Sequence, residues 1–301
     1  MIQVFILFFV ITQLSFSSSL QFKNIRFCND QTIPLTNTFF SYTPPHNCEN
    51  MDSQNPNGVS PLGNPQFHNN NKLITVSPCG LHGYYLLGIS SYIIENYKLD
   101  NYIFSGTSAG AWISLFFSYK GNHQDLINDI LRVSSIDPNQ NIKVLGLHLK
   151  TLFLTKYKNE DFDLNKIFIS VSEINTENVL ISSKLVIHHN FKTLEDAVNC
   201  CIASSHIPLV TGKLYRKYKN KNTIDGGFSH YPYLNTIESS LHIYPFVFKT
   251  PPTKMEYNIN QLKLFVELFM FSKMNFTLLY NDGYNHAKQN TQFLDTIFTR
   301  R

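Results

Sequence analysis

Charge is scarce in this chain. Lys, Arg, Asp and Glu make up 15% of its 301 residues and leave a net charge of +4. That is too little for the basic surface that a nucleic-acid partner requires, so none is expected. Cysteine is scarcer still: Cys28, Cys48, Cys79, Cys200 and Cys201 are the five. No Cys-x-x-Cys pair occurs, and no histidines cluster at ligand spacing. No structural zinc is expected, and no other metal or cofactor. A nucleotide-binding loop is also unsupported. Pro78 stands where Gly-x-Gly-x-x-Gly needs its first glycine, no acidic residue closes a second strand, and no Walker lysine follows. Cys28 and Cys48 flank a loop-rich stretch and are placed to pair in an oxidising compartment. Cys79, Cys200 and Cys201 fall at turn or core positions, where a free thiol behaves as a small hydrophobe.

The first 21 residues hold no charge at all. Ile2 to Ile11 is almost wholly apolar, and the small residues Ser17, Ser18 and Ser19 follow. This reads as a secretory signal peptide over residues 1–19, too short for a membrane span. The missing Lys or Arg ahead of the apolar run leaves an uncleaved anchor or a buried strand as the competing reading. The expected location is the secretory pathway or outside the cell, with membrane association open. The sequon Asn275-Phe276-Thr277 agrees with that route.

What the chain has in quantity is apolar side chain, 43% with 14% aromatic, enough for a sizeable core and incompatible with global disorder. Residues 20–71 are broken by Pro44-Pro45, Pro56, Asn57-Gly58, Pro61 and Pro65 and read as an irregular extension. Order is expected from Lys72. Leu73–Val76 is a strand, Ser77–Gly83 a glycine-containing turn, and Tyr84–Ile94 a buried helix. Tyr102–Phe104 is the next strand, followed by a second glycine turn and a helix from Ala111. Helical spacing returns over 124–157. Strands follow at Lys166–Val171 and Leu185–His189, then a helix capped by Thr193. Alternation of this kind predicts an α/β domain, a central mostly parallel sheet with helices on both faces, over residues 72–245. The 246–301 tail is expected to be helical and to pack on it, its apolar residues from Leu262 to Phe271 forming a buried helix.

Three turns carry chemistry. The first is Cys79-Gly80-Leu81-His82-Gly83. The second is Gly106-Thr107-Ser108-Ala109-Gly110, between a strand and a helix, which is the setting of a nucleophile elbow. Glycines two residues either side of Ser108 remove side chains that would strike the crossing strand and helix. A helix starting at the serine points N–H groups toward it and favours negative charge there. A bare Gly-x-Ser-x-Gly also fits an ordinary tight turn. The third is Asp225-Gly226-Gly227, which alone is a generic turn signal. Before it lies the basic run Lys213–Lys221, which reads as a solvated hairpin or as a contact with an anionic membrane.

Taken in order, with Cys200–Leu209 as a fourth matching stretch, these turns resemble the patatin-like lipid acyl hydrolase family, nearest its triglyceride-lipase-like branch. The resemblance covers roughly 72–245 and implies a three-layer α/β/α fold. It implies a Ser-Asp dyad in which Ser108 attacks an ester carbonyl and Asp225 takes its proton, through an acyl-serine intermediate. The oxyanion would be held by N–H groups at Cys79, Gly80 and Ala109, with Gly83, Gly106, Gly110, Gly226 and Gly227 shaping the turns. The implied partners are a lipid substrate and a membrane or lipid-droplet surface. Two positions depart from the family: Pro78, with no N–H, replaces the first oxyanion glycine, and His82 stands where many members carry Arg. Two alternatives stay open. One is a Ser-Asp-His triad using His230, His242 or His286. The other is a lipid-binding relative without catalysis.

Overall fold

The computed structural model describes residues 71–135, 142–175, 182–229, 232–248 and 274–301. The signal segment, the extension up to residue 70, the Cys28/Cys48 pair, His230 and the apolar run 262–271 lie outside the described residues.

Seven strands make one sheet: β1 (Lys72–Val76), β2 (Tyr102–Thr107), β3 (Ile167–Asn175), β4 (Ser182–His188), β5 (Arg216–Tyr218), β6 (Lys221–Asp225) and β7 (Ser239–Ile243). The order is β5-β6-β3-β2-β1-β7, with β4 paired to β3 as well. β1 pairs in parallel with β2 and β7, and β2 with β3. β4 and β6 run antiparallel to β3. The architecture is therefore α/β, a central mostly parallel sheet flanked by helices. β2 is buried at all six positions, as expected of a central strand covered on both faces.

Among the described residues, five helices lie between the strands or follow them before β5: α1 (Gly83–Asn96), α2 (Ala109–Phe117), α3 (His123–Ser134), α4 (Ile142–Lys156) and α5 (Leu194–Ser204). Two more, α6 (Phe276–Gln289) and α7 (Thr291–Ile297), close the chain. Side-chain caps start three of the helices. Asn122 accepts from Gln124 N, Thr193 from Asp196 N, and the sequon residue Asn275 from Leu278 N. The helical spacing expected over 124–157 falls in two helices, α3 and α4. β3 runs four residues beyond the expected Val171, because antiparallel pairing with β4 continues to Asn175. The α1–α6 seam is close: a Cβ on Gly283 would lie 2.0 Å from the Tyr85 carbonyl oxygen.

The larger core fills the space between the helices and the sheet face bearing Ile74, Phe104 and Ile169. A smaller cluster of Leu73, Ile103, Phe168, Ile187 and Leu234 lies on the opposite face. That face also carries a buried hydroxyl row. Ser105 accepts from Leu234 N at 3.0 Å, and Ser170 donates to the Pro232 carbonyl. These bonds tie the segment after Asp225 onto the sheet.

Candidate functional site

One edge of β3 explains how the distant motifs meet. β4 runs along Ile169–Asn175, so it takes one edge for itself. The other edge is shared. β2 pairs with Ile167–Ser170, ending at Thr107↔Ser170, and β6 pairs from Ile174 to Val171, ending at Val171↔Asp225. β2 and β6 approach head-on and stop at adjacent residues of β3. The residue after β2 is Ser108 and the last residue of β6 is Asp225. The Ser108 hydroxyl is close enough to the Asp225 carboxyl to favour its ionised form, and both residues are 5% exposed.

Ser108 sits at φ 54°, ψ −122°, a conformation that a Cβ disfavours. Its N–H donates to Ser204 Oγ at 2.8 Å, and Ser204 Oγ donates in turn to the Ser170 carbonyl at 2.7 Å. The flanking glycines are required by contact. A Cβ on Gly106 would be 2.1 Å from the Gly110 carbonyl oxygen, and one on Gly110 would be 2.2 Å from that of Val76. Ala109 opens α2, so its N–H has no intrahelical acceptor and points out of the helix start beside Ser108.

The other two turns close on this one. Cys79 precedes a 3-10 turn, Gly80–His82, in which Gly80 has φ 54°. A Cβ on Gly83 would stand 3.0 Å from that of Ala109, and one on Gly227 would stand 2.9 Å from the Pro78 Cβ. Pro78 thus serves as a packing surface for the Asp-Gly-Gly turn. Gly226 faces the Ser170 carbonyl oxygen, where a Cβ would come within 2.5 Å. Gly80 and Ala109 line one cavity with Ser108, and Cys79 is buried beside it. Burial, then the nearby Asp225 charge, pushes the Cys79 thiol up, so it stays protonated.

Asp225 is held by its surroundings. Its Oδ1 accepts from Gly227 N at 2.7 Å, and its own N–H donates to the His206 carbonyl at 2.8 Å. Burial pushes its carboxyl up to about 7, against the pull of the Ser108 and Gly227 hydrogen bonds. Burial disfavours the ionised form and hydrogen bonds favour it. Here burial dominates, which leaves a carboxyl balanced between its two forms near neutral pH.

Three of the described histidines are engaged elsewhere. His242 Nδ1 bonds to Thr75 Oγ1 at 2.8 Å, and His286 Nδ1 to the Tyr85 hydroxyl at 2.8 Å. His206, whose backbone carries Asp225, has its ring nitrogens on Thr211 Oγ1 and the Lys213 carbonyl. None of the three is hydrogen-bonded to Asp225 or Ser108, and His230 lies outside the described residues.

A family model described as Patatin-like phospholipase matches residues 74–234. The chain belongs to that family. Its members are lipid acyl hydrolases, and lipids are their substrates. No curated protein matches the chain. Among solved structures, the crystal structure of VipD from Legionella pneumophila is similar at 12% identity, over 77% of this chain and 68% of that one, with a TM-score of 0.35. The patatin-like match ends at Leu234, the residue whose N–H is held by Ser105.

The patatin-like site also has supports that the motifs do not mark. Ser204 is the clearest, since it ties the elbow to β3. Ser204 to His206 falls within the Cys200–Leu209 stretch that resembles the family, but the resemblance assigns neither serine a role. Two serines at the buried C-terminus of a helix, where neither helps helix formation, are the signal that they bond something else. Ser205 Oγ accepts from Trp112 Nε1 at 3.1 Å. The substitution Ser204→Ala is expected to leave the Ser108 N–H buried without a partner and to cost about 1–3 kcal/mol. Thermal denaturation will show this as a melting point several degrees lower, and unchanged melting would show that the bond is dispensable.

The basic run forms the β5–β6 hairpin, turning at Lys219 and Asn220, both with positive φ. Lys219 is not free in solvent: its Nζ is 3.0 Å from Asp196 Oδ2. Leu209, Leu214 and Tyr215, just before the hairpin, are 40%, 52% and 40% exposed.

Proposed function

We propose that this protein hydrolyses acyl esters of glycerolipids, with Ser108 as nucleophile and Asp225 as its general base. The observation that carries the reading is the meeting of Ser108 and a buried carboxyl poised near neutrality, where β2 and β6 stop at adjacent residues of β3, in the lining of an apolar cavity. A base must reach the proton it takes and have an affinity for it near the working pH. Ser108 Oγ attacks the ester carbonyl carbon and its proton passes to Asp225. The carbonyl oxygen becomes an oxyanion facing the N–H groups of Gly80 and Ala109, and Cys79 adds to the same turn. As the tetrahedral species collapses, the C–O bond to the alcohol breaks and Asp225 returns the proton to that oxygen. Water then attacks the acyl-serine and loses a proton to Asp225; the acyl C–O bond to Ser108 breaks, Asp225 returns the proton to Oγ, and the fatty acid leaves. The helix start at Ala109 compensates in part for Pro78, which has no N–H to offer.

The test is covalent. A fluorophosphonate is expected to add one adduct to the wild-type protein by intact mass, none to Ser108→Ala, and to react far more slowly with Asp225→Asn. A folded wild type that takes no label would favour the lipid-binding alternative, with Pro78 as the position to restore to glycine. Placement beside the triglyceride-lipase-like members rests on the four sequence motifs. Comparing release of fatty acid from triacylglycerol and from phospholipid decides that finer point.

The reaction is expected to take place at a lipid surface. The exposed Leu209, Leu214 and Tyr215 stand next to cavity-lining Ile207, Thr211 and Arg216, with Lys213 and Lys217 alongside. Apolar tips ringed by cations suit an anionic interface. Replacing Leu214 and Tyr215 together by Asp is expected to reduce sedimentation with anionic vesicles at least tenfold, while hydrolysis of a water-soluble ester is unchanged. Equal sedimentation would remove this face from the docking surface.

A further inference from the structure

Arg216 opens β5 and lines the same cavity as Ser108. It pairs with Thr223 of β6, and Asp225 follows Thr223 by two residues. Directly paired residues point to one face of a sheet, and so do residues two apart on a strand. The Arg216 side chain therefore starts on the face of Asp225, as its diagonal neighbour, at about 7–8 Å. It is not turned onto that carboxyl. The groups that pull Asp225 down are the Ser108 hydroxyl and the Gly227 N–H. Burial pulls the His206 ring below its usual value, and the Arg216 charge pulls it further down. The guanidinium thus lies toward His206, another residue of the cavity lining.

The other polar side chains of that lining, Ser108 aside, are satisfied. Ser205 Oγ accepts from Trp112 Nε1 and donates to the Cys201 carbonyl. His206 and Thr211 bond to each other and to the Lys213 and Ile207 carbonyls respectively. The Tyr84 hydroxyl bonds to that of Ser134. Arg216 is different. It is half-buried, and among the described residues no hydrogen bond or ion pair reaches its guanidinium. Burial pulls it below its usual value with no acid opposing. Every other described arginine has a partner: Arg132 meets Asp129, Arg300 meets Asp295, and Arg301 bonds to the Tyr97 carbonyl. A partly desolvated cation carries a cost that a partner of opposite charge offsets. The guanidinium offers five N–H donors in a rigid fork that fits two oxygens of one anion.

We propose that Arg216 is a specificity-determining residue, holding the phosphodiester of a glycerophospholipid while the ester of that lipid faces Ser108. The proposal rests on the reading of Ser108 as nucleophile, and it selects phospholipid over neutral acylglycerol at that same site. In such a lipid the carbonyl carbon of the middle ester is five bonds from phosphorus, about 6 Å at full stretch for bonds of about 1.5 Å. That is of the same order as the diagonal offset of Arg216 from Asp225. The carboxylate of a released fatty acid offers the same two oxygens. It forms, however, on the carbon that Ser108 held, whereas the phosphodiester is already displaced toward Arg216.

The test compares dihexanoylphosphatidylcholine with dihexanoylglycerol, both below their micellar concentrations, so that surface binding plays no part. Arg216→Met keeps an apolar stem and removes the charged fork. The ratio of kcat/KM for the phospholipid to that for the neutral lipid is expected to fall about 10–100-fold in this variant. Arg216→Lys keeps the charge without the fork and is expected to recover part of the ratio. An unchanged ratio in Arg216→Met overturns the proposal, whether both substrates are slowed alike or neither is. So does a variant whose sole change is weaker inhibition by hexanoate, since Arg216 would then hold the product carboxylate. A binding measurement makes the test independent of turnover. Trp112 is the only tryptophan in the chain and lines the cavity, hydrogen-bonded to Ser205. In the Ser108→Ala protein its fluorescence is expected to show the phospholipid bound at least tenfold more tightly than the neutral lipid. Adding Arg216→Met is expected to abolish that preference. Equal affinities in Ser108→Ala, or a preference that survives Arg216→Met, overturn the proposal. Failure of the catalytic reading looks different: neither substrate is turned over, while the binding preference and its loss in Arg216→Met stand.

Discussion

Asp225→Asn is expected to lower ester hydrolysis by about 10³–10⁴-fold, the scale on which a positioned general base acts, and at the same time to make the protein more stable above pH 7. Both effects have one cause. Burial pushes the Asp225 carboxyl up to about 7, while in the unfolded chain it returns to about 4. A carboxyl raised on folding contributes stability that is fully present below the unfolded value and is lost as pH rises through the folded one. The window is therefore about pH 4 to 7, and the whole difference corresponds to at most ~4 kcal/mol. Asparagine does not titrate and has no such loss. The melting-point gap between Asp225→Asn and wild type should be small at pH 4, widen to roughly 5 °C or more by pH 8, and then level off. Differential scanning calorimetry across that range checks it. A gap that is constant with pH would mean that Asp225 is not held protonated by burial. The catalytic counterpart is a wild-type kcat/KM that falls about tenfold per pH unit below the folded value, since only the carboxylate can accept the serine proton.

Ser108 is expected to produce the other large effect. Ser108→Ala and Ser108→Gly should each reduce turnover by about 10⁴–10⁶-fold, as removal of a nucleophile does. The two should differ in stability. At φ 54°, ψ −122° a Cβ is strained, and glycine is not. Ser108→Gly should therefore be more stable than Ser108→Ala by about 1–2 kcal/mol, despite the larger conformational entropy that glycine loses on folding. Denaturant titration of the two variants measures the difference. A less stable glycine variant would mean that the elbow is relaxed. Strain of this sort at a candidate nucleophile is tolerated because Gly106, Gly110 and the Ser204 hydrogen bond hold the turn in place from three sides.

Much of this arrangement was legible in one dimension. The elements from β1 to α2 follow from short apolar runs, two glycine turns and helical spacing, and the structure places their boundaries within a few residues of those expected. Thr193 is a helix cap, as its position ahead of Glu195 and Asp196 indicates. The length of β3 was not legible. Residues beyond Val171 are polar or mixed, and they extend the strand because β4 and β6 pair with them there. Ser204 stands in the Cys200–Leu209 stretch, but its role was not legible, since it lies in a bond to a backbone N–H that is 96 residues away in sequence.

The residues by themselves determined the local chemistry. They supplied a serine between two glycines at the end of a strand, an aspartate before two glycines at the end of another, and a glycine turn after the first strand. Local sequence sets backbone conformation, and these positions allow few others. Whether the serine and the aspartate meet was decided only in the folded chain. They are more than a hundred residues apart and share an edge of β3, where two strands stop at Ser170 and Val171. Register along a third strand is a cooperative property of packing and pairing, and so is the burial that pushes Asp225 up to about 7.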